Sequence, residues 1–93
     1  MNSLKNKNII VTGASGGIGN SIIEKLYDNE ANILATGTKI EKLEGLKEKF
    51  KKIKILKFDI SQHDKIEEFI NNATEILGGP GEYWFSRRRY RED

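Results

Sequence analysis

Cysteine is absent from this 93-residue sequence, so neither a disulfide framework nor a thiolate metal site can hold it together. A single histidine, His63, excludes a multi-histidine metal site as well. Proline and tryptophan occur once each, as Pro80 and Trp84, both beyond Gly79. Arginine is missing through Ser86, although twelve lysines lie before it, and Arg87, Arg88, Arg89 and Arg91 crowd the last seven residues. No apolar run approaches the roughly 20 residues of a membrane span. The start, MNSLKNKNIIV, lacks the apolar core of a signal peptide. A cytosolic protein without a membrane partner is expected.

What is present is ordinary for one small globular domain. Hydrophobic residues make up 37% and charged residues 32%, with a formal net charge of +2. That charge is too small to imply a nucleic-acid or membrane partner by itself. Asn8 to Thr12 (NIIVT) is a short β-branched run ending at a glycine, the pattern of a buried parallel strand. Ile18, Ile22, Ile23 and Leu26 then follow helical spacing, which fades near Asp28. Ala31 to Thr36 reads as a second strand, and Thr38-Lys39-Ile40-Glu41 as a capping box opening a second helix with Leu43, Leu46 and Phe50 on its apolar face. Lys54 to Ile60 reads as a third strand. Residues Ser61 to Asp64 can cap a third helix that buries Ile66, Phe69, Ile70, Ala73 and Leu77. The lysines from Lys47 to Lys57 read as a solvated face.

The order is β-α-β-α-β-α with short connections. Such alternation implies an α/β fold of three layers: a parallel sheet with right-handed crossovers, the first half of a doubly wound, Rossmann-type architecture. Residues 1–79 form this half-domain in the reading, and residues 80–93 a separate basic and aromatic tail.

The chemistry concentrates at the first strand–helix junction, VTGASGGIGNSI. Gly13, Gly16, Gly17 and Gly19 let an anion approach the backbone, and the helix start offers unpaired amides and the positive end of its dipole. The loop is not a P-loop, because Gly19-Asn20-Ser21 lacks the required lysine. Gly13-Ala14-Ser15-Gly16-Gly17 matches a nucleophile elbow, but only one strand precedes it and His63 is the sole base on offer. The remaining motif, T-G-x-x-x-G-x-G, is matched in full by Thr12-Gly13-Ala14-Ser15-Gly16-Gly17-Ile18-Gly19.

With that motif, residues 4 to 79 resemble the short-chain dehydrogenase/reductase family, and TGASGGIG is most similar to its 3-oxoacyl-acyl-carrier-protein reductases. The resemblance implies that Gly13, Ser15, Gly16, Gly17, Ile18 and Gly19 line the adenosine and pyrophosphate of a dinucleotide. It places Asp59 at the adenine edge, with Ile60 beside it; the simpler reading of Asp59 is a turn residue. An acid at the end of the second strand would hold the ribose hydroxyls of NAD. Here that strand leads into Thr36-Gly37-Thr38-Lys39, whose hydroxyls and charge suit a 2′-phosphate, so NADP(H) is the expected cofactor.

The family's hydride transfer also needs a Ser, an Asn and a Tyr-x-x-x-Lys pair. None can be assigned: Ala31 stands four residues after Tyr27, Arg87 four after Tyr83, and Tyr90 is too near the end. Turnover is therefore expected only of a longer parent. Asn71-Asn72-Ala73-Thr74 imitates a family motif that ends a fourth strand, but the spacing around it is helical. The tail offers a different reading, in which Tyr83, Trp84 and Phe85 with the arginines bind single-stranded nucleic acid or a protein. Without a fourth strand the first strand would be an exposed apolar edge. Tyr83 to Phe85, a second copy of the chain or another polypeptide would have to cover it, and self-association is expected.

Overall fold

A computed structural model describes residues 4–14, 17–59 and 61–86, the side chains of residues 17, 18 and 83–86 excepted. Strand β1 (Asn8–Thr12) leads into helix α1 (Gly17–Asp28), then β2 (Asn32–Gly37), α2 (Ile40–Lys49) and β3 (Lys54–Lys57). A short 3₁₀ turn (His63–Lys65) precedes α3 (Ile66–Leu77), and β4 (Tyr83–Ser86) follows. All the strands are parallel, in the order β3-β2-β1-β4.

Alternation along the strands builds two cores. Ile9, Val11, Ile33 and Ala35 face α1 and α2, where Ile23, Leu26, Leu43 and Leu46 cover them. Ile10 and Leu34 point the other way, against Phe69, Ala73 and Leu77 of α3. Both faces are thus covered, and for that reason β1 and β2 are apolar at successive positions. From β1 the chain steps outward to β2 and β3 with its helices on one face. It then returns across the sheet to β4 with α3 on the other face, as crossovers of constant hand require.

A fourth strand extends the expected half-sheet, by the first of the three ways in which the edge of β1 could be covered. Ile9 pairs with Tyr83 and Thr12 with Ser86, so the chain itself covers the edge that would have left β1 exposed. Polar side chains at the bottom of the sheet hold this return path. Asn8 and Asn32 stand opposite each other, and the Asn32 side-chain amide donates to Asn8 Oδ1 at 2.7 Å and to the Leu77 carbonyl at 3.0 Å. Asn8 in turn donates to the Pro80 carbonyl, and its own carbonyl accepts from the Glu82 amide at 2.7 Å.

Three local expectations are revised. The third strand stops at Lys57, not Ile60, because its ladder partner Gly37 is the last residue of β2. Phe58 makes one more bond to the Gly37 carbonyl before the chain turns. Thr38 does not cap α2: the N-cap is Lys39, with no side-chain cap bond, which leaves Thr38 one residue too early. Ile70 is 42% exposed, since the buried stripe of α3 runs through Phe69, Ala73 and Leu77 and position 70 lies about 100° round the helix from it. The Asn71 to Thr74 segment is helical as expected.

Removing the Asn32 amide leaves the Leu77 carbonyl and Asn8 without a donor. Asn32→Ala is expected to lower stability by about 1–3 kcal/mol in urea unfolding. Deleting residues 80–93 removes β4 and reopens the edge of β1. The truncated chain is expected to run as oligomers or aggregates in size-exclusion chromatography with light scattering, not as a stable monomer.

Candidate functional site

In a parallel sheet whose strand order reverses, a crevice opens at the carboxyl ends of the strands. The reversal falls at β1, which has β2 on one side and β4 on the other. The glycine motif occupies that position. Gly13 has φ +65°, a conformation in which a Cβ would clash, and it turns the chain out of β1. Ala14 follows, 1% exposed, with its amide bonded to the Thr36 carbonyl at 2.9 Å, which ties the loop to the end of β2. Helix α1 begins at Gly17 with no acidic residue in its first turn, so that turn brings no carboxylate of its own to the positive end of the helix dipole.

Gly19 serves packing. A Cβ at that position would lie 2.7 Å from the Ala14 Cα and 3.0 Å from its carbonyl carbon and oxygen. Only a bare backbone lets α1 approach the loop this closely. Ser15, Gly16 and Ile60 lie outside the described residues, and of Gly17 and Ile18 only the helical backbone is described.

The ends of β2 and β3 form the neighbouring wall. Thr38, Lys57, Phe58, Asp59 and Gln62 line a cleft of about 440 Å³. Asp59 Oδ1 accepts from the Ser61 amide at 3.0 Å and the Ser61 hydroxyl at 2.7 Å. These two bonds, the hydroxyl's first, hold the carboxyl below the usual carboxylate range. The Asp59 carboxylate is therefore ionised at neutral pH. Its hold on the turn is present above the ordinary carboxylate pKa and is lost as pH falls through the lowered one. The Asp59–Ser61 bonds are those of a turn residue, and they leave Oδ2 without a bond among the described residues.

Two assignments shift. Thr36, expected to offer its hydroxyl to a phosphate, is 1% exposed in the interior of β2, paired with Leu56. Lys57, read from the sequence as part of a solvated face, lines the cleft together with Gln62. The available signal was position: Lys57 stands two residues before Asp59, where the strand ends. Thr38 lines the cleft as expected.

A larger cleft, about 660 Å³, lies at the opposite end of the sheet, with Asn6, Asn8, Tyr27, Asn32 and Lys52 in its wall. The C-terminal ends of α1 and α3 point there, so the helix carbonyls make that end unfavourable for an anion. Its groups serve structure instead. The Tyr27 hydroxyl accepts from the Lys52 amide, and its ring packs on Phe50. His63 is exposed in the 3₁₀ turn. Among the described residues no cluster of His, Asp or Glu could hold a metal ion. No described helix is long and apolar enough to cross a membrane.

Comparison with known proteins decides the family, because the sequence model described as short chain dehydrogenase matches residues 7–80. This chain belongs to the short-chain dehydrogenase family. Members of that family are NAD(P)-dependent oxidoreductases. The chain is 30% identical over 80 residues to an uncharacterised oxidoreductase of Staphylococcus saprophyticus, covering 84% of this chain and 32% of that protein. The crystal structure of a short-chain dehydrogenase from Bacillus anthracis superposes with a TM-score of 0.82 at 26% identity, over 94% of this chain and 36% of that one. A short-chain dehydrogenase/reductase (glucose/ribitol dehydrogenase) of Brucella melitensis gives 0.75 at 30% identity, over 90% and 37%. The chain spans about a third of the length of the curated relatives it matches.

A methyl group at Gly19 forces the first turn of α1 away from the loop. A helical Gly→Ala change ordinarily gains about 0.5–1 kcal/mol. Gly19→Ala is instead expected to destabilise by about 1–3 kcal/mol, read from the midpoint of chemical unfolding.

Proposed function

We propose that this chain is the NADP(H)-binding N-terminal portion of a short-chain oxidoreductase similar to the 3-oxoacyl-acyl-carrier-protein reductases of fatty-acid synthesis. The observation that carries the reading is the glycine loop at the strand-order reversal, where Gly13 turns the chain and Gly19 lets α1 close on it. A pyrophosphate at the start of α1 would be held by backbone amides from Gly13 to Gly19. Asp59, with one carboxylate oxygen engaged by Ser61, would offer the other to an adenine amino group.

NADP(H) is favoured over NAD(H) because no acid stands at the end of β2. The chain there reads Gly37-Thr38-Lys39, which offers a hydroxyl and a cation where NAD binding would use a carboxylate. When bound, the nicotinamide ring carries the hydride. Proton transfer belongs to a Ser, Tyr and Lys set that the 93 residues do not supply, so the chain by itself binds without turnover. The likeness to 3-oxoacyl reductases rests on the TGASGGIG sequence. Self-association, or pairing with a complementary chain, is expected at the outer edge of β4, the end strand of the described sheet next to β1.

Calorimetric titration of the chain with NADPH and with NADH tests the reading. Saturable binding is expected, tighter for NADPH. Gly17→Asp puts a carboxylate at the start of α1 and is expected to weaken both by about tenfold or more. A folded wild-type chain that binds neither nucleotide would sink the proposal.

A further inference from the structure

We infer that Lys57, acting with Thr38, is a second cation, beyond Lys39, that selects a 2′-phosphorylated dinucleotide. The inference rests on the dinucleotide reading of the preceding section and goes beyond it by naming the selecting group.

Five residues line the cleft at the ends of β2 and β3, and among them Lys57 is the one cation and Asp59 the one anion. A phosphate monoester carries a charge of about −1.5 to −2 at neutral pH. Asp59 alone would make the cleft hostile to such a group. Lys57 cancels that charge and places a cation within the cleft, and the exposed Thr38 hydroxyl adds a hydrogen-bond donor.

Backbone geometry brings Lys57 and Thr38 together. Lys57 takes the last ladder position of β3, opposite Gly37. Gly37 has no side chain to stand between them, and the Phe58 amide bonds the Gly37 carbonyl at 2.9 Å, which locks the two strand ends in register. Thr38 is the next residue along β2's exit.

The Lys57 ammonium is also uncommitted among the described residues. Three other lysines are committed: Lys47 donates to the Ile53 carbonyl at 2.7 Å, Lys5 lies 3.8 Å from Glu30 and Lys7 3.6 Å from Glu82. Thr36, the other hydroxyl near this strand end, is buried and out of reach.

The test is calorimetric titration of the wild type, Lys57→Gln and Lys54→Gln with NADPH and with NADH, circular dichroism confirming that each variant is folded. Lys54 is exposed at the far end of β3 and controls for a general loss of charge. Lys57→Gln is expected to weaken NADPH binding about tenfold and to leave NADH within about twofold, because a charge-assisted bond to phosphate is lost and the 2′-hydroxyl of NADH has none to lose. Lys54→Gln is expected to change neither. Unchanged NADPH binding by Lys57→Gln, or an equal loss in Lys54→Gln, overturns the selecting role while the dinucleotide reading stands. A wild type that binds neither nucleotide overturns both.

Discussion

Strand β1 is buried on both faces and hydrogen-bonded on both edges, and the arrangement of every other element depends on that. Its residues Ile9 and Val11 anchor one core while Ile10 anchors the other. A strand of this kind has to lie inside a sheet, because unpaired amides beside apolar side chains would otherwise face water. Pairing with β2 satisfies one edge. The second edge is satisfied by residues 83–86, brought back across the sheet by α3. The asparagine pair at the bottom of β1 and β2 belongs to the same requirement, since it grips the carbonyls of Leu77 and Pro80 on the returning segment.

The same topology gives the molecule two unlike ends. Parallel strands with helices running back between them gather the helix N-termini near the strand carboxyl ends and the helix C-termini at the other. The first end is electrostatically suited to an anion and the second is not. The larger cleft therefore lies at the wrong end for a pyrophosphate, and volume is a poorer guide to the site than backbone polarity. At the favourable end the division of work is clear. Gly13 and Gly19 shape the loop, while charge enters at the neighbouring strand ends through Lys57 and Asp59.

The sequence was most legible where a single local rule operates. Residues Asn8–Thr12 are a strand because they are β-branched and flanked by turn formers, and α3 shows its stripe at a spacing of four. Errors arose where a neighbour decides. Thr38 has the composition of a cap, but α2 starts two residues later because the end of β2 sets where the chain leaves the sheet. Phe58 and Asp59 look like strand residues, yet β2 offers no partner beyond Gly37. Thr36 and Thr38 are alike in sequence; one is sealed inside the sheet and the other is exposed. Lys57 is one lysine in a basic stretch, and only the pairing of β3 with β2 puts it beside Thr38.

By itself the sequence determined the alternation of strands and helices, the glycine loop and the family to which it belongs, because each of these is written in neighbouring residues. Hydrophobic period, turn chemistry and an eight-residue motif need no distant partner to be recognised. Tertiary structure alone decided that Tyr83–Ser86 joins the sheet, that β1 is its interior strand and that the strand order reverses there. It also decided which hydroxyl and which lysine reach the cleft. These outcomes depend on pairings between residues tens of positions apart, where the hydrogen-bond partners available to one strand are set by where another one ends.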